Sequence, residues 1–286
     1  MNTRELRQMI PSQAVSDGAG VRIKRTLGLS PQYRFDPFLM LDEFGSDIPG
    51  DYLAGFPDHP HRGFETITYM LEGHMLHEDH LGNRGDLKNG DVQWMSAGRG
   101  IIHSEMPQQE DGRMRGFQLW LNLPAAEKMQ PPSYRDIPAR DIPVVRLAGG
   151  AMVKVIAGQF VENGDVVSGP IQQAATTPVY LDVTLNSGDV FVQPTPLDHH
   201  ALIYVYEGGL RVGDLGRELA SGVAGLLTEG DQLSVKADVP ATRFLVLTGQ
   251  PLREPVAQWG PFVMNTEEEI QQALADYRSG RLVRGA

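Results

Sequence analysis

One turn-and-strand plan is written twice in this 286-residue chain, and it limits the fold more than any single motif does. In the first half, the β-branched and aromatic run Thr66-Ile67-Thr68-Tyr69-Met70-Leu71 ends at Glu72-Gly73, and Asn89-Gly90-Asp91 turns into Val92-Gln93-Trp94-Met95. In the second half, Leu202-Ile203-Tyr204-Val205-Tyr206 ends at Glu207-Gly208, and Glu229-Gly230-Asp231 turns into Gln232-Leu233-Ser234-Val235. Short alternating runs between glycine turns read as half-buried strands, and helices of ordinary length do not fit between such turns. Glycine, at 32 residues, exceeds its usual share of about 7% and supplies those turns. The expected fold is all-β, with two antiparallel units of similar plan, as sandwiches or small barrels.

The rest of the chain is placed around that repeat. Residues 21–27 and 38–44 read as strands, and the first 50 residues as a lead-in. Pro124, Pro131, Pro132, Pro138 and Pro143 cluster where few regular elements tolerate them, so this segment is read as the inter-domain connection. The expected domains are 1–135 and 136–286. Thr266 and Glu269 have capping-box spacing, Ile270, Leu274 and Tyr277 follow at helical intervals, and Gly280 ends the pattern. A helix over 267–279 is expected to close the second domain.

Composition removes several kinds of chemistry. The chain has no cysteine, which excludes disulfides, thiolate nucleophiles, thiolate metal sites and iron–sulfur clusters and fits a cytoplasmic location. The polar start has no apolar core of a secretory signal, and no run of about 18 apolar residues is present. A net charge of -11 with no basic cluster argues against direct nucleic-acid binding. Glu267-Glu268-Glu269 needs no partner, because acidic residues favour a helix start.

One stretch carries chemistry. His59-Pro60-His61 opens it and His103-Ser104-Glu105 closes it, and in a strand residues two apart share a face. Each end can therefore aim two ligands at one point. Imidazole with carboxylate suits Fe(II), Mn(II), Ni(II), Cu(II) or Zn(II). Four protein ligands leave open positions on a metal that takes five or six. Glu65, six residues after His59, reads as a fifth ligand, an outer hydrogen-bond acceptor, or a residue turned away by Gly63. An isolated histidine is ordinarily a surface or hydrogen-bonded residue, and His74, His77, His80, His199 and His200 take that reading. Trp94 and Trp120 read as core.

His-x-His with a glutamate four residues on, followed by a glycine-turn segment with a later histidine, is similar to the two motifs of the cupin superfamily. Within it, His59 to Thr66, Gly90 to Glu105 and Gln258 to Thr266 resemble the signatures of the pirin family, and the resemblance covers nearly the whole chain. Pirins are bicupins, so it implies two cupin β-barrels of the jelly-roll type in tandem and a C-terminal helix. It also implies one iron in the first barrel, on the residues matching His59, His61, His103 and Glu105. Ser96 stands where cupins generally have proline, and His103 lies two residues later than usual; both features resemble pirins. They let Glu105 be a ligand and put Glu65 outside the ligand set.

The second repeat has its histidines out of step, since His199 and His200 lie nine and eight residues before Gly208 while His61 lies twelve before Gly73. The second barrel is therefore expected to hold no metal. Several bacterial relatives resemble quercetinases, which implies a flavonol and O2 as substrates, with a metal binding the flavonol 3-hydroxyl and Glu105 taking its proton. The rival class is an iron-dependent, redox-sensing regulator that binds protein partners, and a further rival is a cupin sugar isomerase. The chain is expected to be a monomer.

Overall fold

The alternation becomes a pleat where it was read. In the strand Val21–Leu27, Val21 and Ile23 are buried while Arg22 and Lys24 are exposed. Phe38–Ser46 and Phe64–Glu72 are buried along most of their length, as strands between two covered faces are. The structure, a computed structural model, describes residues 2–30, 34–172 and 174–283.

Each half of the repeat builds a seven-stranded and a four-stranded antiparallel sheet. In the first barrel the large sheet runs Ser133–Ile137, Val92–Ser96, Phe64–Glu72, Met114–Asn122, Phe38–Ser46, Val21–Leu27, Gln13–Asp17. Its small sheet runs Phe56–His61, Ile101–Pro107, Met75–Asp79, Arg84–Leu87. In the second barrel the large sheet runs Leu6–Pro11, Val223–Leu227, His200–Glu207, Thr242–Gly249, Val179–Leu185, Met152–Ala157, Val144–Arg146. Its small sheet runs Val190–Pro194, Gln232–Ala237, Gly209–Val212, Arg217–Ala220. The two orders match strand for strand, which sets Val92–Ser96 against Val223–Leu227 and Ile101–Pro107 against Gln232–Ala237, so the turn Glu229-Gly230-Asp231 matches the one before Ile101 and not Asn89-Gly90-Asp91 as the sequence suggests; this is the all-β double-cupin architecture. The cores lie between the sheets: Val183, Ile203 and Phe244 of one meet Phe191, Val212 and Val235 of the other.

The compact units are not contiguous halves divided at 135/136. One comprises Met1–Gln13, Ser30–Pro37 and Arg140–Pro251, and the other Ala14–Leu29, Phe38–Ala139 and Leu252–Ala286. The lead-in supplies Leu6–Pro11, which pairs with Val223–Leu227 of the second barrel. The proline-rich segment is more than a connection, because Ser133–Ile137 pairs with Val92–Ser96. The tail belongs to the first barrel's unit. Its helix, Glu267–Arg278, is capped reciprocally by Thr266 and Glu269, as the spacing predicts, and buries Ile270 and Ala273. Among the described residues no helix is long and apolar enough to cross a membrane.

Candidate metal centre

The small sheet of the first barrel brings the two histidine pairs together. Phe56–His61 and Ile101–Pro107 are antiparallel, with His103 opposite His59 and Ile101 opposite His61. The pleat then places His61 on the same face as His59, one pair further along. The ring centroids of His59 and His103 lie 4.3 Å apart, and that of His61 lies 4.7 Å from His59 and 4.9 Å from His103. One nitrogen from each of these three residues lies within 4.8 Å of the others. His61 and His103 are buried, and His59 is the half-buried member.

The charge state of the cluster suits a metal. Burial, more than any neighbour, holds the His61 imidazole well below its usual range; His59 adds to this and the Pro261 carbonyl opposes it. Burial likewise depresses His103, reinforced by His61, His59 and His77. Neutral imidazole is the ligating form. His61 Nδ1 and His103 Nε2 are buried without a hydrogen-bond partner, which is costly unless something else takes their lone pairs. A divalent cation fits that requirement, so the residues present can hold one.

Glu105 lies outside this set of three. It follows His103 by two residues on the same face and is buried, and its carboxylate is held by Gln118 Nε2 at 3.0 Å and by the Thr68 hydroxyl at 3.3 Å. Gln118 is in turn fixed by Trp120 Nε1 at 3.2 Å. Trp120 belongs to the wall of the site as well as the core: its ring stands edge-on to His61 at 5.2 Å and stacks on Phe64 at 4.2 Å. Glu65 is also buried and outside the cluster, and burial, helped by Glu127, pushes its carboxyl up to about 8.

Of the two readings that its sequence context allows, surface or hydrogen-bonded, His77 takes the second. It is fully buried opposite Glu105, with Nδ1 3.3 Å from His103 Nδ1. Its ring stacks on Tyr134 at 4.7 Å, and Nε2 lies 3.8 Å from Asp79 Oδ2. Two facing Nδ1 atoms bond only when one donates and the other accepts, so the two rings take complementary tautomers. A proton on His103 Nδ1 leaves its Nε2 free as a ligand and places the His77 proton on Nε2, toward Asp79. Nothing local in the sequence marks His77 for this role. Only the cross-strand pairing with Glu105 reveals it.

The remaining motif residues hold the loop that follows the histidines. Gly63 N donates to Gly98 O at 2.8 Å, Val263 N to Arg62 O at 3.0 Å, and Arg62 Nη1 bonds Asp276 of the helix at 2.9 Å. Gly63 has φ +89°, and a Cβ there would stand 1.9 Å from Val263 O. Gly98 has φ +46°, and a Cβ there would stand 2.2 Å from Gln130 O. The three separate signature stretches are thus one packed unit beside His61.

The second barrel answers position by position. Gly73 and Gly208 are matching turns, and two residues on Met75 pairs with Pro107 as Leu210 pairs with Ala237. In that register Glu105 corresponds to Val235, His103 to Leu233 and His77 to Val212. Gln193 lies opposite Leu233 as His59 lies opposite His103, so Gln193 and Thr195 stand where His59 and His61 do. His199 is elsewhere: its ring nitrogens lie 3.2 Å from Thr177 Oγ1 and 3.0 Å from Thr248 Oγ1. His200 Nδ1 bonds the Asp36 carbonyl.

Comparison with known proteins agrees with this geometry. The family model described as Pirin matches residues 20–121, and the Pirin C-terminal cupin domain matches 180–283. A Pseudomonas aeruginosa protein provisionally named a quercetin 2,3-dioxygenase is 53% identical over 98% of both chains. Human Pirin is 40% identical over 98% of this chain and 94% of its own. The crystal structure of an Acinetobacter baumannii quercetin 2,3-dioxygenase superposes with a TM-score of 0.90 at 34% identity, covering 98% of this chain and 99% of that one. With both family models matched in order and relatives aligned end to end, the chain belongs to the pirin family.

Proposed function

We propose that the protein is a metal-dependent flavonol 2,3-dioxygenase that takes quercetin and O2, with Fe(II) held by His59, His61, His103 and Glu105. The observation that carries this reading is the three-histidine cluster, two of its members buried with open imidazole nitrogens, set beside a carboxylate that is held in place by hydrogen bonds. The names of the Pseudomonas and Acinetobacter relatives support the substrate. A bound divalent metal supplies Lewis-acid and redox chemistry toward the flavonol oxygen and O2.

The chain's own residues do the rest. Glu105 receives the flavonol 3-hydroxyl proton on a carboxylate oxygen. Gln118 and Thr68 aim that carboxylate and fix its rotamer. Trp120 Nε1 orients the Gln118 amide so that its NH2 faces Glu105. His77 holds the His103 ring in one tautomer. Phe64 and Trp120 give the site an apolar wall against the His61 ring.

The test is oxygen uptake with carbon monoxide release from quercetin by the iron-loaded, reduced protein, beside its Glu105→Gln variant. The variant is expected to retain some metal and, per metal bound, to lose about 100- to 10,000-fold in turnover, the range of general-base contributions. Full activity in the variant sinks the base role. No turnover by the loaded parent protein sinks the dioxygenase reading and leaves the redox-responsive partner protein in its place.

A further inference from the structure

The mouth of the second barrel holds a cavity of about 510 Å³, within the size range of small-molecule sites. Gln193 and Thr195 line it, so it opens where the first barrel keeps His59 and His61. Ile171, Pro178 and Val179 give it apolar walls, and among the described residues no Asp, Glu, Lys or Arg lines it. Behind one wall lies Arg4, 1% exposed. Its guanidinium donates to Thr195 Oγ1 at 2.7 Å, Pro196 O at 2.7 Å, His199 O at 2.9 Å and Thr228 O at 2.9 Å. All four acceptors are neutral, and three belong to residues that line the cavity.

A buried guanidinium among neutral acceptors leaves a positive charge in the wall. Glu229 and Asp231 are the acids whose charges reach it, and among the described residues no carboxylate lies within 4 Å of it. Its field extends to His199, whose imidazole is depressed first by burial and further by Arg4, against Asp198. The Thr195 hydroxyl already accepts from Arg4, so its own proton is directed elsewhere, and among the described residues it has no acceptor. Thr195 thus offers a donor, backed by a fixed positive charge, in a cavity with no acid of its own.

We propose that this mouth is a metal-independent binding site for a small organic carboxylate, received by the Thr195 hydroxyl with Arg4 behind it, its carbon body lying against Ile171, Pro178 and Val179. The site does not depend on the dioxygenase reading. Duplication of the barrel then yields two ligand mouths, one that uses histidines and a metal and one that uses a hydroxyl and a buried cation.

The test uses the full chain stripped of metal with a chelator, so that carboxylate binding to a metal makes no contribution. Acetate, benzoate and 2-naphthoate are titrated calorimetrically beside acetamide, benzamide and 2-naphthamide. At least one carboxylate is expected to bind saturably at one site, at least about tenfold more tightly than its amide, since hydrogen bonds to charged groups are the stronger class. Thr195→Val is expected to lose about tenfold or more in that affinity and Thr195→Ser to keep it, with both variants folded as judged by thermal melting. Arg4→Met tests the charge, and the Thr195 pair decides the question if that variant fails to fold. A crystal of the complex is expected to show the carboxylate against Thr195. Absence of saturable binding, equal affinity for acid and amide, undiminished affinity in Thr195→Val, or density for the probe elsewhere each overturns the proposal.

Discussion

Lys128 should show in its pH dependence that the fold around the histidine cluster rests on a buried cation. The residue is 1% exposed, and its ammonium donates to Gly63 O at 2.7 Å, Asn122 Oδ1 at 2.6 Å and Val263 O at 3.1 Å. It joins the loop after His61, the end of a central strand and the C-terminal segment. Burial lowers its pKa from the usual 10.5 to about 8, with Glu254 and Glu269 opposing. Between those values the unfolded chain still holds the proton that the folded chain has released, so stability rises with pH across this window. Each pH unit of the gap is worth about 1.4 kcal/mol, so the gain reaches about 3 kcal/mol by pH 10.5. Below pH 8 the folded protein carries the full cost of the buried charge, offset by three charge-assisted hydrogen bonds. Lys128→Met removes both the charge and the bonds and strands three buried acceptors. At about 1–3 kcal/mol for each stranded group, less the relief of the charge, the net loss at pH 7 is about 2–4 kcal/mol. Urea unfolding of both proteins at pH 7 and pH 10 measures this, and every other titrating group cancels in the difference between them. The difference should be about 2–4 kcal/mol at pH 7 and should widen by up to about 3 kcal/mol at pH 10. A difference that stays constant with pH refutes the buried-charge argument, and one near zero at pH 7 refutes the anchor.

Three further outcomes are expected. Gly63→Ala combines a left-handed backbone with a Cβ 1.9 Å from Val263 O, so it should cost about 3 kcal/mol or more and lower the urea midpoint accordingly; a loss under about 1 kcal/mol contradicts the packing described. His77→Phe keeps a ring against Tyr134 but cannot accept from His103, and chelator competition should show metal affinity reduced about 10- to 100-fold with the fold intact. His77→Asn, which keeps an acceptor near the Nδ1 position, should recover part of that affinity, and equal affinity in all three proteins removes the tautomer role. Thr266→Ala breaks the reciprocal cap and should cost about 1 kcal/mol in urea unfolding, where no change would show that the cap is redundant with the packing of Ile270 and Ala273.

What could be read in advance was whatever physics acts locally. Val21–Leu27 alternates because one face is buried, and Thr266 with Glu269 starts a helix because the two side chains satisfy each other's backbone donors. The meeting of His59, His61 and His103 was legible for the same reason, since a pleat fixes residues two apart. What could not be read was set across the chain. Ser133–Ile137 sits among prolines and earns its strand from Val92–Ser96, and Leu6–Pro11 earns its own from Val223–Leu227. Edge strands of this kind carry little signal of their own, because their stability comes from the partner. His77 was missed likewise: the Glu-Asp-His group beside it looks solvated, and its burial depends on Glu105, His103 and Tyr134, which lie 26 or more residues away.

The two barrels also show why such a cluster changes as a set or not at all. An imidazole buried with an open nitrogen costs about 1–3 kcal/mol unless a ligand or hydrogen bond takes that position. Three histidines facing one another are therefore tolerable where a cation can bind them, and costly where none does. In the second barrel every one of those positions has found another partner. Gln193 Nε2 bonds the Gln159 carbonyl at 3.2 Å and its Oε1 accepts from Val161 N at 3.2 Å, while Thr195 accepts from Arg4. Leu233, Val235 and Val212, in the places of His103, Glu105 and His77, join the hydrophobic core. Val212 stands in the place of His77 where Leu233 stands in the place of His103, and a histidine whose use is to fix the tautomer of another ring has that use only where the other ring is present.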